Sequence, residues 1–305
     1  MALASTILMV RPAAFGANSE TAANNYFQSS DIPNNAELQS KALKEFDGMV
    51  QLLRDHGITI EVFDDTTEPL KPSAIFPNNW LSTSPDGGVF VYPMFAANRR
   101  PEKRDDIIKH LSDNYQVKDV QDWSEYEVEG KFLEGTGSMI FDHDNRVIYA
   151  CHSPRTDISV LEKFANSNGY RAIVFVATDN NGHPVYHTNV VLALGENFAI
   201  LCEEAIDEEW ELIAVRQLLD SSSHEVIRIT RDQMHAFAGN MLNVQNKNGD
   251  KFLILSQTAF TSLTDEQKET LSVYCKLLPV AIPTIEAAEG GSVRCMMAEI
   301  FLQKK

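Results

Sequence analysis

Residues 137–177 read GSMIFDHDNRVIYACHSPRTDISVLEKFANSNGYRAIVFVA. Two apolar runs flank the polar turn HDN (143–145), the pattern of a β-hairpin. Asp157 then precedes ISVLEKFANSNG, where Ile158, Leu161 and Phe164 fall on one helical face. Asp157 offers the N-terminal cap and Gly169 the C-terminal stop. RAIVFVA closes the stretch as a third strand. The order is strand, strand, helix, strand.

The same cadence recurs at intervals of a little over fifty residues. NWLSTSPDGGVFVYP begins at Asn79, NVVLALGENFAILC at Asn189 and NMLNVQNKNGDKFLIL at Asn240, each a hairpin around a polar turn. Helical patterns follow in RDDIIKHLSD, DEEWELIAVRQLLD and TDEQKETLSVYC, the last with Thr264 and Gln267 spaced as a capping box. Short strands YQVKDV, EVIRIT and LLPVAI complete these units. A fifth start falls at Cys295, where CMMAEIFLQ supplies one strand. The remaining pieces stand at the other end: STILMVRP as a strand, AELQSKALKEFDGMVQLLRDHG as a helix and ITIEVF as the last strand. Residues 1–305 thus read as a single catalytic domain of five ββαβ units, the fifth assembled from both ends. Such units cannot bury their apolar faces alone, and a closed ring of five leaves no exposed edges. A doubly wound sheet would alternate strands and helices singly, which this pattern does not.

Composition narrows the function. The apolar and charged fractions, 44% and 23%, are those of a globular protein. A net charge of −17 disfavours a nucleic-acid partner. No apolar run approaches the ~20 residues needed to span a bilayer, and MALASTILMVRPAAF lacks the basic start of a signal peptide. Cys151, Cys202, Cys275 and Cys295 are scattered without CxxC spacing, so reduced thiols, a cytoplasmic location and no metal are expected. No glycine-rich phosphate loop follows a strand, and no cofactor is expected. The partner expected is a small molecule, with a homodimer left open.

Residues at the unit starts should converge on the ring axis. Collected, they form a polar set: Asn78 and Asn79, Glu134, His187, Asn189, Asn240 and Cys295. Burying such groups costs about 1–3 kcal/mol each unless they are satisfied, a cost usually retained where a ligand is handled. Thiol, imidazole and carboxylate together are the parts of cysteine nucleophilic catalysis. Cys151, Cys202 and Cys275, on apolar runs, read as core residues.

LEGTGSMIFD, YHTNVVLALGE and GGSVRCM resemble the three signature stretches of the guanidino-group-modifying (pentein) superfamily, which includes arginine deiminases, dimethylarginine dimethylaminohydrolases, agmatine deiminases and amidinotransferases. The chain is most similar to the amidinotransferase-like hydrolases of citrulline utilisation, which carry a comparable FPNNW stretch. The resemblance implies a five-bladed α/β propeller with pseudo-fivefold symmetry, matching the repeat reading. It implies Cys295 as nucleophile, His187 as general acid and base, and Glu134 as the carboxylate that contacts substrate nitrogens or supports the histidine. HSPRT resembles a stretch whose arginine, here Arg155, holds the substrate carboxylate, and NRRPEKRDD points in the same way to Arg99. Arginine suits this because its planar fork binds carboxylate bidentately.

Many relatives place carboxylates where this chain has Asn79 and Asn189. Asparagine cannot neutralise a guanidinium, but its amide can donate to the carbonyl of a neutral ureido group. The expected substrate is therefore closer to citrulline than to arginine, with hydrolysis of the terminal C–N bond releasing ornithine. Amidino transfer through the same covalent intermediate is the alternative, and a non-catalytic binding protein of the same fold a second one. The polar segment around TAANNYFQ (21–28) reads as a lid or a static wrap.

Overall fold

The computed structural model describes residues 3–22, 24–28, 32 and 35–305. Its strands form five separate three-stranded sheets. Leu81–Thr83, Gly88–Val91 and Asp119–Asp122 make the first sheet; Met139–Asp142, Val147–Cys151 and Arg171–Phe175 make the second. Leu192–Gly195, Phe198–Leu201 and Glu225–Arg228 form the third, and Leu242–Gln245, Lys251–Ser256 and Lys276–Val280 the fourth. In each, the first two strands pair antiparallel and the third runs parallel to the second. The fifth joins distant chain: Ala298–Ile300 pairs antiparallel with Thr6–Arg11, which pairs parallel with Thr59–Asp64. The architecture is the five-bladed α/β propeller, and the unit built from both ends of the sequence is present.

The connecting helices form where their end signals stand. Asp157 accepts from the Val160 amide to start Ile158–Ser167, and Thr264 and Gln267 form a reciprocal capping box at Asp265–Tyr274. Asn35 caps Ala36–Asp55, whose Ala42, Phe46, Met49 and Leu53 are buried. Fully burying a side chain such as Phe46 contributes about 1.5–3 kcal/mol.

Two features differ from the sequence expectation. The strand expected over 115–120 lies at Asp119–Asp122, whose residues are mostly exposed and carry no alternating pattern. Tyr115 is instead buried at the end of the preceding helix, where its hydroxyl meets Glu61 and its backbone bridges Lys304. Further, four units do not open directly into a strand. Single turns of helix, Pro77–Asn79, Gly135–Ser138, Thr188–Val191 and Val293–Met296, precede the inner strands. A turn of three or four residues is too short for any periodicity to declare it. These turns pack against one another around the axis and, Asn240 apart, carry the polar set within or just before them.

Candidate active site

Glu134 and His187 are the residues just before the turns Gly135–Ser138 and Thr188–Val191, and both are buried. His187 Nε2 lies 2.8 Å from Glu134 Oε2. The other carboxylate oxygen, Oε1, accepts from the Phe95 amide at 3.0 Å, and Arg155 Nη1 stands 3.6 Å from Oε2. Burial opposes the charge on Glu134, but Arg155 and the hydrogen bond from His187 outweigh it and hold the carboxyl at about 2. Burial pushes His187 down to about 4 against the pull of Glu134. At neutral pH the pair is therefore carboxylate and neutral imidazole. With Nε2–H given to Glu134, Nδ1 is the ring nitrogen left bare to accept a proton. Gly137 permits this approach, since a Cβ there would fall 2.8 Å from His187 Nδ1 and 2.6 Å from Asn79 Nδ2.

Cys295 sits in the turn Val293–Met296 and is buried. Its Sγ receives the side-chain amides of Asn240 at 3.3 Å and Asn189 at 3.5 Å. Asn240 Oδ1 accepts from the Arg294 amide at 3.1 Å, which fixes the orientation of its side chain. Arg294 gives its guanidinium to Glu299 and to the Met297 carbonyl, both at 2.9 Å, so the sulfur's polar neighbours are amides. The sequence left Asn240 without a role; its contact with Sγ supplies one. His235, from the same stretch, stacks on Phe27 with ring centroids 4.8 Å apart.

Cys295, His187, Asn79, Arg99 and Arg155 line one cavity. Asn79 Oδ1 accepts from Arg99 Nη1 at 2.8 Å, while its buried Nδ2 has no hydrogen-bond partner. Arg99 is held by a buried bidentate pair with Glu102, at 2.9 and 2.8 Å. Asn78 and Asn189 stand behind the lining: Asn78 donates to Thr136 Oγ1 at 3.2 Å, and Asn189 backs the sulfur. The cavity wall also carries Glu289, absent from the sequence candidates. It ends the short helix Pro283–Glu289, and Gly290, at φ +63°, turns the chain back toward Cys295. The proline start and glycine stop of that helix were a readable signal.

Residues 18–28 roof the cavity, with Ala23 outside the described residues. Arg155 donates to Asn24 Oδ1 at 3.0 Å and to the Thr21 carbonyl at 3.3 Å, and its guanidinium lies 4.5 Å above the Tyr186 ring. Asn25 donates to the Glu289 carbonyl at 2.7 Å, and Tyr26 stacks on His183 at 3.9 Å. Beneath this roof the free volume is about 20 Å³, room for about one water. Among the described residues, no three His, Cys, Asp or Glu side chains converge as a metal site, and no helix is long and apolar enough to cross a membrane.

Comparison with known proteins agrees with this architecture. The N-terminal domain of ArgZ, described as an arginine dihydrolase from the ornithine–ammonia cycle in Cyanobacteria, was solved as a cysteine-to-serine variant bound to substrate. It superposes with TM-score 0.75 at 14% identity, covering 96% of this chain and 97% of that one. AgrE in complex with ornithine and NAD+ gives 0.74 at 16% identity over 96% of this chain; the chain spans 39% of AgrE. A dimethylarginine dimethylaminohydrolase adduct with S-methyl-L-thiocitrulline gives 0.65 at 15% identity, covering 98% and 100%. Among curated proteins, none matches this chain. The family model described as N,N dimethylarginine dimethylhydrolase, eukaryotic, matches residues 11–302. A match over nearly the whole chain, on a five-bladed propeller, makes this protein a member of the N,N-dimethylarginine dimethylhydrolase family within the pentein superfamily of guanidino-modifying enzymes, a hydrolase type that acts on non-peptide C–N bonds.

Proposed function

We propose that this chain hydrolyses the C–N bond between the ureido carbon and the side-chain nitrogen of a ureido amino acid of the citrulline class, through a covalent adduct on Cys295. The observation that carries the substrate class is Asn79, whose Nδ2 is buried, unpartnered and on the wall shared with Cys295. An amide donor without a partner suits a carbonyl oxygen; a guanidinium, which only donates, would leave it unsatisfied.

The chemistry follows from the protonation states. Neutral His187 accepts the Cys295 proton at Nδ1, and the imidazolium formed is stabilised by Glu134 across the 2.8 Å contact. The thiolate attacks the ureido carbon, with amides of Asn240 and Asn189 around the sulfur. His187 returns the proton to the departing amine, so ornithine leaves and an S-carbamoyl cysteine remains. Water, deprotonated by the same nitrogen, attacks the carbamoyl carbon. The sulfur departs and is reprotonated, and the released carbamate breaks down to ammonia and carbon dioxide. The substrate carboxylate goes to Arg155, displacing Asn24 and so opening the roof.

The test is a panel of ureido and guanidino amino acids with ornithine and ammonia as readouts, on wild type and Cys295→Ser. Citrulline is expected to exceed arginine by at least tenfold in kcat/KM, and Cys295→Ser to abolish both. Arginine turnover equal to citrulline turnover overturns the substrate class. Wild-type rates in Cys295→Ser overturn the covalent route. An added amine that captures the carbamoyl group faster than water would make transfer the physiological reaction.

A further inference from the structure

Two of the cavity's charged groups have charged partners within the protein, and one does not. Arg99 is paired with Glu102, and Arg155 faces Glu134. Glu289, also buried and also on the cavity wall, accepts from Ser73 Oγ at Oε2, 2.8 Å away; its Oε1 has no partner. No lysine or arginine forms an ion pair with it among the described residues. A buried carboxylate with an idle oxygen is costly unless something arrives to satisfy it.

We infer that Glu289 is the receptor for the substrate's α-ammonium group, and thus the residue that makes this cavity select α-amino acids over their des-amino counterparts. The inference rests on the amino-acid reading above. An α-amino acid presents carboxylate and ammonium on one carbon, so their receptors must be neighbours. Arg155 and Arg99 both lie near enough to Glu289 to act on its charge. The zwitterion's ammonium would give Glu289 the cationic partner it lacks, while its carboxylate meets the neighbouring arginines. Burial pushes the Glu289 carboxyl up to about 8, so an arriving cation is what would draw it into its ionised form. Ammonium binding would then expel that proton, either to water or through Ser73. The backbone fixes the position firmly: Asn25 holds the Glu289 carbonyl, and Tyr186 Oη donates to the Gly290 carbonyl at 2.9 Å. A side chain at Gly290 would strike the backbone of residues 27 and 28, at 2.6 Å.

The experiment compares citrulline with 5-ureidopentanoic acid, which lacks only the α-amino group, on wild type and Glu289→Gln. Wild type should prefer citrulline by roughly 10- to 100-fold in kcat/KM, and Glu289→Gln should lose that preference. The loss should appear in KM, with kcat within a few-fold. Turnover of the des-amino compound should stay within about threefold, which also shows that the variant is folded. An equal fall for both substrates would make Glu289 a structural residue and overturn the inference, as would a wild type indifferent to the amino group. Binding of both compounds to Cys295→Ser protein, by calorimetry, separates this from the hydrolytic reading. If neither compound turns over but the Cys295→Ser chain binds citrulline in a Glu289-dependent way, the reaction is wrong and the ammonium receptor stands. If that chain binds neither compound, both fall.

Discussion

Two buried glutamates, one behind the cavity's histidine and one on its wall, show how far surroundings govern chemistry. Glu134 and Glu289 are equally buried, yet the first is held at about 2 and the second at about 8. Desolvation is the largest influence on both and opposes ionisation in both. Glu134 overcomes it because Arg155, His187 and the Phe95 amide all converge on its carboxylate. Glu289 has Ser73 alone in direct contact, with Arg99 and Arg155 acting from farther off and Glu102 working against them. Glu134 therefore carries a permanent negative charge beside a histidine, whereas the Glu289 carboxyl keeps its proton into the neutral range.

The comparison can be broken most directly at Glu134. Glu134→Gln removes the anion that steadies a charged His187, and kcat should fall by ~10²–10⁴-fold. The same change leaves Arg155 buried without its countercharge, at about 3–5 kcal/mol of stability measured by chemical denaturation. A variant with wild-type kcat would dissolve the distinction between the two carboxylates.

A pH series sharpens the contrast, because the two groups are linked to folding with opposite signs. Glu289 keeps its proton in the folded chain at pH values where the unfolded chain has lost it. Its contribution to stability thus declines as pH rises from about 4.5 to about 8. Glu289→Gln has no such proton, so its stability should gain on wild type over that window, by on the order of 1 kcal/mol per pH unit at most, seen as a rising relative melting temperature. Ser73, Arg99, Glu102, Arg155 and Tyr186 face the group and remain in both proteins. Glu134 acts the other way: its folded-state pKa is depressed, so its contribution is present above about 4.5 and lost as pH falls toward about 2. Parallel melting curves for Glu289→Gln and wild type between pH 5 and 8 would show that the carboxyl is ionised throughout.

A smaller effect is expected at Tyr186. Its hydroxyl supports the Gly290 carbonyl at 2.9 Å, next to Glu289, on the cavity wall it shares with Cys295. Tyr186→Phe should cost about 1 kcal/mol in stability and raise KM for the amino acid a few-fold while leaving the rate of Cys295 alkylation by a haloacetamidine unchanged. A large drop in that alkylation rate would show the surroundings of Glu289 and of the thiol to be one unit.

Sequence alone made the ring legible because hairpin turns and helix caps are local signals repeated five times. Asp157 and Thr264 cap as their spacing predicted. The convergence of Glu134, His187 and Cys295 on one centre followed from the repeat, since equivalent positions in a closed ring must meet. What stayed hidden depends on side-chain direction. Nothing in the order of residues says that Arg294 turns toward Glu299, that Asn189 lies behind the sulfur rather than on the cavity surface, or that Glu134 takes Nε2 of His187. Glu289 was hidden for another reason. It lies outside the repeated unit starts, on a seven-residue helix too brief for periodicity, and only its unpartnered oxygen distinguishes it from a structural carboxylate.

The fifth sheet has a bearing on how such a protein comes to work at all. Ala298–Ile300 docks on Thr6–Leu8 three residues after the sulfur, so the seam of the ring and the proposed nucleophile share one short piece of chain. Bringing those strands together closes a loop of almost the whole sequence, a step whose entropic penalty grows only slowly with length but still has to be met by contacts made elsewhere first. A ring left ajar would have four well-formed blades and no reaction centre. Turnover would then serve as a gauge of closure, and any change that loosens Ile7 or Ile300 should silence the enzyme before spectroscopy registers a loss of secondary structure.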